Sequence, residues 1–128
     1  MRFARLVLAL SALAFGGIGV AFLAAPAALG GIVGVEIRGA LADGDVRAVY
    51  GGLPLGCAVF LARCALERRW LRAGLTAQLC LFAGLAGGRL VGLAIAGAPG
   101  PLGLGLLAAE GTAFGCGIWA WRLLAREP

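Results

Sequence analysis

The sequence predicts an all-α integral membrane protein, an antiparallel four-transmembrane-helix bundle forming one domain over residues 1–128. Three observations carry that expectation. Hydrophobic residues fill 62% of the 128 positions and charged residues only 13%, against roughly 45–50% and about 25% in soluble domains, so the surrounding medium is one that excludes charge. Four apolar runs are each long enough to cross a ~30 Å hydrocarbon core at ~1.5 Å per residue. The eleven basic residues, all arginine, fall mostly in short groups between those runs, a layout that sets topology and builds no basic face for nucleic acid.

The first helix is expected over 6–25, behind Arg2 and Arg5 and ahead of Pro26. Ala25-Pro26-Ala27 resembles a signal-cleavage site, but the run exceeds the roughly 7–15 apolar residues of a signal peptide, so a retained helix is expected. Residues 27–45 mix glycine and short apolar groups with Glu36, Arg38, Asp43 and Asp45 and read as an outer loop. Within it Asp43-Gly44-Asp45 is a turn signal, and Asp45 suits the N-cap of a second helix over 46–66. A third helix is expected over 71–96, stopped by Gly97-Ala98-Pro99-Gly100-Pro101, and a fourth over 102–124.

Arginine placement orients the bundle. The amino terminus (Arg2, Arg5), the second connection (Arg68, Arg69, Arg72) and the carboxyl end (Arg122, Arg126) are basic, whereas the first connection is net acidic and the third uncharged. With four spans these basic groups share one side, which places both termini in the cytoplasm. Trp70, Trp119 and Trp121 fall at that same interface, as an aromatic belt requires.

Four polar residues stand out inside this framework. Arg89 lies eight residues before Gly97 and Glu110 eight residues after Leu102, so each is about 12 Å inside the outer edge. A lone charge at such depth costs at least ~2.5–3.5 kcal/mol, and a charge-assisted hydrogen bond recovers part of that; the two are expected to face each other. Helical periodicity puts Arg47, Tyr50, Gly51, Pro54, Ala58 and Ala65 on one side of the second helix and Val49, Leu53, Val59, Phe60 and Leu66 on the other. On the third helix Gln78, Phe82, Leu85, Arg89, Gly92 and Ala96 align. On the fourth, Glu110, Ala113, Phe114 and Gly117 do. The expected ligand-binding site lies in the outer half, with Arg47 and Tyr50 at its mouth and Arg89 and Glu110 at its floor. Gly51 and the spaced glycines Gly84, Gly88 and Gly92 are expected in helix packing, within the bundle or between subunits of a homo-oligomer. Pro54 predicts a kink one turn from Tyr50.

Arg47-x-x-Tyr50-Gly51-Gly52-x-x-x-Gly56, Gly88-Arg89-x-x-Gly92 and Glu110, in that order on successive helices, resemble the small bacterial four-helix membrane proteins of domain-of-unknown-function family 4345. The resemblance spans roughly Leu6 to Leu124 and implies four transmembrane helices with no assigned activity. Ala96-Gly97 stands where that pattern leads one to expect Asp-Gly, so this turn contributes no acid. Size and architecture are also similar to the DoxX-like proteins, an analogy of fold alone.

Cys57, Cys64, Cys80 and Cys116 lie in apolar runs without a C-x-x-C pair, and the chain has no histidine. No metal site, cofactor or catalytic set is therefore expected, and the protein is expected not to be an enzyme. The leading functional expectation is a site for a small polar, anionic or lipid-like ligand within membrane lipid. The alternatives are a structural or assembly subunit, in which Arg89 and Glu110 only fix helix packing, and a transporter component, for which Gln78 is the main polar residue in the cytoplasmic half of the inward faces.

Overall fold

The computed structural model describes residues 1–126. Among them are five helices and no strand: α1 (Arg2–Ala24), α2 (Pro26–Ile32), α3 (Gly39–Leu66), α4 (Arg68–Ala96) and α5 (Gly100–Ala125). All but α2 are long and apolar enough to cross a membrane. The architecture is that of a multi-pass membrane protein.

Local chemistry explains each boundary. α1 stops at Ala25, whose φ −138° and ψ 62° leave the helical region, and Pro26 starts α2 where its missing N–H costs nothing. Gly34 and Gly39 adopt φ of +78° and +86°, conformations that glycine reaches without a Cβ clash, near the start and just past the end of the non-helical stretch 33–38. Glu67 is extended between α3 and α4, and a tight 3-10 turn at Arg68–Trp70 begins α4. Gly97, at φ +83°, ends α4.

One expected boundary is corrected. Residues 27–45 are not a loop: α2 occupies their start, and α3 begins at Gly39, with Arg38 rather than Asp45 at its N-cap. Asp43 sits four residues before Arg47, and their side chains pair at 2.7 Å. That i,i+4 interaction favours helix where the Asp-Gly-Asp run favours a turn.

Within α3 the backbone widens into a π-helical turn over Arg47–Gly52, and the Leu53 N–H reaches back five residues to the Ala48 carbonyl. Pro54 follows directly. Its ring would clash with the Tyr50 carbonyl in an unbroken α-helix and it has no N–H to donate, so the wider turn accommodates the proline.

The helices associate chiefly as two pairs, α1 with α3 and α4 with α5. The pairs join at the end that carries both termini, where Leu8, Leu61, Cys64, Leu71, Leu75 and Gln78 are fully buried. Periodicity matches most of the faces of α3: Gly51, Ala58 and Ala65 are buried, and Val49, Leu53, Val59, Phe60 and Leu66 are exposed, but Tyr50, expected on the inward side, is exposed because it lies in the wider turn at the edge of the α1 contact. The inward stripe of α4 is buried only as far as Phe82, because Leu85, Gly92 and Ala96 are exposed. Past that level the α4–α5 pair stands apart from the other, so its apolar side chains meet lipid.

Candidate functional site

Arg47, Tyr50 and Gly51 are held by α1. Arg47 donates through Nε to Asp43 Oδ2 at 2.7 Å and through Nη1 to the Leu23 carbonyl. That carbonyl lies in the last turn of α1, where acceptors lack helical partners and a cation is favoured by the helix dipole. The Tyr50 ring stacks on Phe22, with centroids 5.2 Å apart and planes at 29°. Gly51 fits under Leu23, since a Cβ there would lie 2.8 Å from the Leu23 side chain. On the facing helix a Cβ at Gly19 would lie 2.8 Å from the Gly51 carbonyl and 2.9 Å from the Leu55 nitrogen. The π-helical turn thus lies backbone against backbone on α1, at a pair of single glycines.

Arg89 and Glu110 join α4 to α5. Arg89 Nε donates to both carboxylate oxygens of Glu110, at 2.8 and 2.9 Å. Glu110 keeps only 8% of its side-chain surface exposed, while Arg89 keeps 35%. The carboxylate is therefore the buried partner, and the guanidinium reaches it from the rim. About three turns from Arg89 toward the termini, Gln78 is fully buried and donates through Nε2 to the Ala113 carbonyl at 2.9 Å. Its Oε1, which lies against Gly117, is the buried side-chain polar atom without a partner among the described residues.

The four expected site residues form two clusters. Among the described residues no hydrogen bond, ion pair or ring contact joins Arg47 or Tyr50 to Arg89 or Glu110. Instead Glu110 opens on a groove of about 530 Å³ between α1 and α5, floored by Phe82 and Leu85 of α4. Phe15 and Phe82, with ring centroids 5.5 Å apart, close its base. The groove wall is apolar apart from Glu110, Ser11, Thr112 and Cys116. The sequence reading passed over Ser11 and Thr112, although a hydroxyl inside an otherwise apolar span was a signal available for each.

The glycine row of α4 behaves differently from Gly51. Nothing in the chain lies within 4 Å of where a Cβ would stand at Gly84, Gly88 or Gly92. Close approach within the chain falls instead at Gly19, Gly51, Gly74 and Gly117, each against a side chain or backbone of another helix.

Fold and site together define a small helical membrane protein in which a buried carboxylate, paired with an arginine at its rim, lies beside an apolar groove. The chain belongs to the domain of unknown function family DUF4345, whose family model matches residues 3–121. No curated protein and no solved structure matches it.

Proposed function

We propose that this protein is a non-catalytic holder of a lipid-like molecule, which lies in the groove between α1 and α5 with its polar group against Glu110. The observation that carries the reading is the buried carboxylate opening on an apolar groove of about 530 Å³. That volume is within the range of small-molecule sites, roughly 300–1,000 Å³, and such sites combine mostly apolar walls with a few placed polar groups. Arg89 orients the Glu110 carboxylate through two hydrogen bonds, and the pair of opposite charges costs less to place in the membrane than either charge alone. The protein sits in a bacterial inner membrane, as the family resemblance implies, with both termini in the cytoplasm, an orientation supported by the arginines at the termini end of the bundle.

Native mass spectrometry of protein extracted from its own membrane tests the reading. The wild type carries a lipid-like molecule that Ala14→Trp and Ala113→Phe, which fill the groove from opposite walls, lack. If wild type and both folded variants carry the same adducts, the groove is not a binding site. A second reading, an assembly subunit, is favoured by the uncovered row Gly84, Gly88 and Gly92, which suits close approach of a helix from another chain.

A further inference from the structure

The hydrogen-bonding capacity of the groove is one-sided. Ser11 Oγ donates to the Val7 carbonyl at 2.9 Å and Thr112 Oγ1 to the Ala108 carbonyl at 2.8 Å. Each hydroxyl has a single proton to give, so both are left with acceptor lone pairs only. Glu110 is an acceptor throughout. An ionised carboxylate has about four lone-pair sites, and Arg89 Nε draws on both oxygens without filling them. Backbone N–H groups along α1 and α5 are engaged in their helices, and the Cys116 thiol is a weak donor at best. The wall therefore presents acceptors and no free strong donor.

These acceptors also lie at one level. Phe3 and Trp119 meet ring to ring at 5.8 Å, which sets the antiparallel register of α1 against α5. Counting along both helices from that contact at ~1.5 Å per residue, Ser11 comes level with the Glu110–Thr112 turn. Apolar wall continues to either side, toward Phe3 in one direction and Ile18 and Leu106 in the other.

Charge narrows the choice further. Glu110 already has its counter-ion in Arg89, so a cationic head would leave one uncompensated positive charge in a low-dielectric site. Arg89 does not line the groove, so an anionic head would meet the carboxylate first and be repelled. We propose that the groove takes an uncharged lipid bearing a hydroxyl, whose O–H donates to Glu110 while its apolar body fills the groove on either side. This rests on the proposed function above and specifies its ligand class.

Photo-crosslinking of the full chain in lipid nanodiscs tests it, using a diazirine-bearing twelve-carbon alcohol as the probe. Dodecanol, dodecyl phosphate, dodecylammonium and dodecane serve as competitors. The expected result is labelling of α1 and α5 peptides that dodecanol displaces at a concentration at least roughly tenfold below that of the other three, the worth of one hydrogen bond to a charged group. Labelling should be lost in Ala14→Trp and in Ala113→Phe and kept in Val59→Trp, which alters the exposed face of α3. If a charged competitor or dodecane displaces the probe as well as dodecanol does, the hydroxyl assignment is overturned while the groove remains a site. If labelling of α1 and α5 survives in both groove-filling variants, the groove reading itself falls and takes this inference with it.

Discussion

Replacing Arg89 with leucine removes both hydrogen bonds to Glu110 and strands a carboxylate that is 8% exposed. Breaking a buried pair from one side costs ~3–5 kcal/mol. Arg89 is about one-third exposed, so surrounding water and head groups already screen its contribution, and the low end, about 3 kcal/mol, is the expected loss. Glu110→Leu strands a less buried partner, and an arginine with a long aliphatic stem can turn outward, so about 1–2 kcal/mol is expected. The double variant leaves no charge in the span and should cost less than Arg89→Leu alone. Unfolding by sodium dodecyl sulfate in mixed micelles, followed by fluorescence of Trp70, Trp119 and Trp121, reads these losses as midpoint shifts. If the double variant loses as much as the two single variants combined, the residues are uncoupled and the account of the pair is wrong.

The close contact of α1 and α3 makes Gly19→Ala costly, by ~1–3 kcal/mol, because the two nearest atoms it would meet are backbone and cannot swing aside. Gly17→Ala, with nothing within 4 Å, should be neutral or gain up to ~1 kcal/mol in the same unfolding assay; equal effects at the two positions would refute the packing. Gly88→Leu should leave the fold intact, since the row is open within the chain. A change in its oligomeric state by light scattering would favour the assembly reading, and no change would remove that reading's support. Reporter fusions should place the carboxyl end in the cytoplasm and an insertion in residues 33–38 on the other side, and the reverse pattern would overturn the orientation.

Much of the fold was legible in the sequence because lipid imposes strong patterns. Apolar run length located the four spans, and the exclusion of unpaired charge joined Arg89 to Glu110 across a tight turn. What escaped depends on tertiary distance. Arg47 and Arg89 share a side of the bundle, yet each is claimed by a different helix pair, and separation between pairs leaves no trace in a helical stripe. The groove escaped for the same reason, since it is the gap left where α5 stands off from α1. Spaced glycines advertised packing on the open face of α4, while the glycines that pack within the chain, such as Gly19 and Gly117, are set by the facing helix. At the start of α3, local turn propensity at Asp43-Gly44-Asp45 lost to the Asp43–Arg47 pair.

A structure of the protein in lipid, purified from its own membrane, tests the central claim most directly. Elongated density is expected in the groove between α1 and α5, with its polar atom within hydrogen-bond distance of Glu110 while Arg89 keeps its hold on both carboxylate oxygens. A groove closed by its own side chains, or filled by a helix of a second copy, would contradict it.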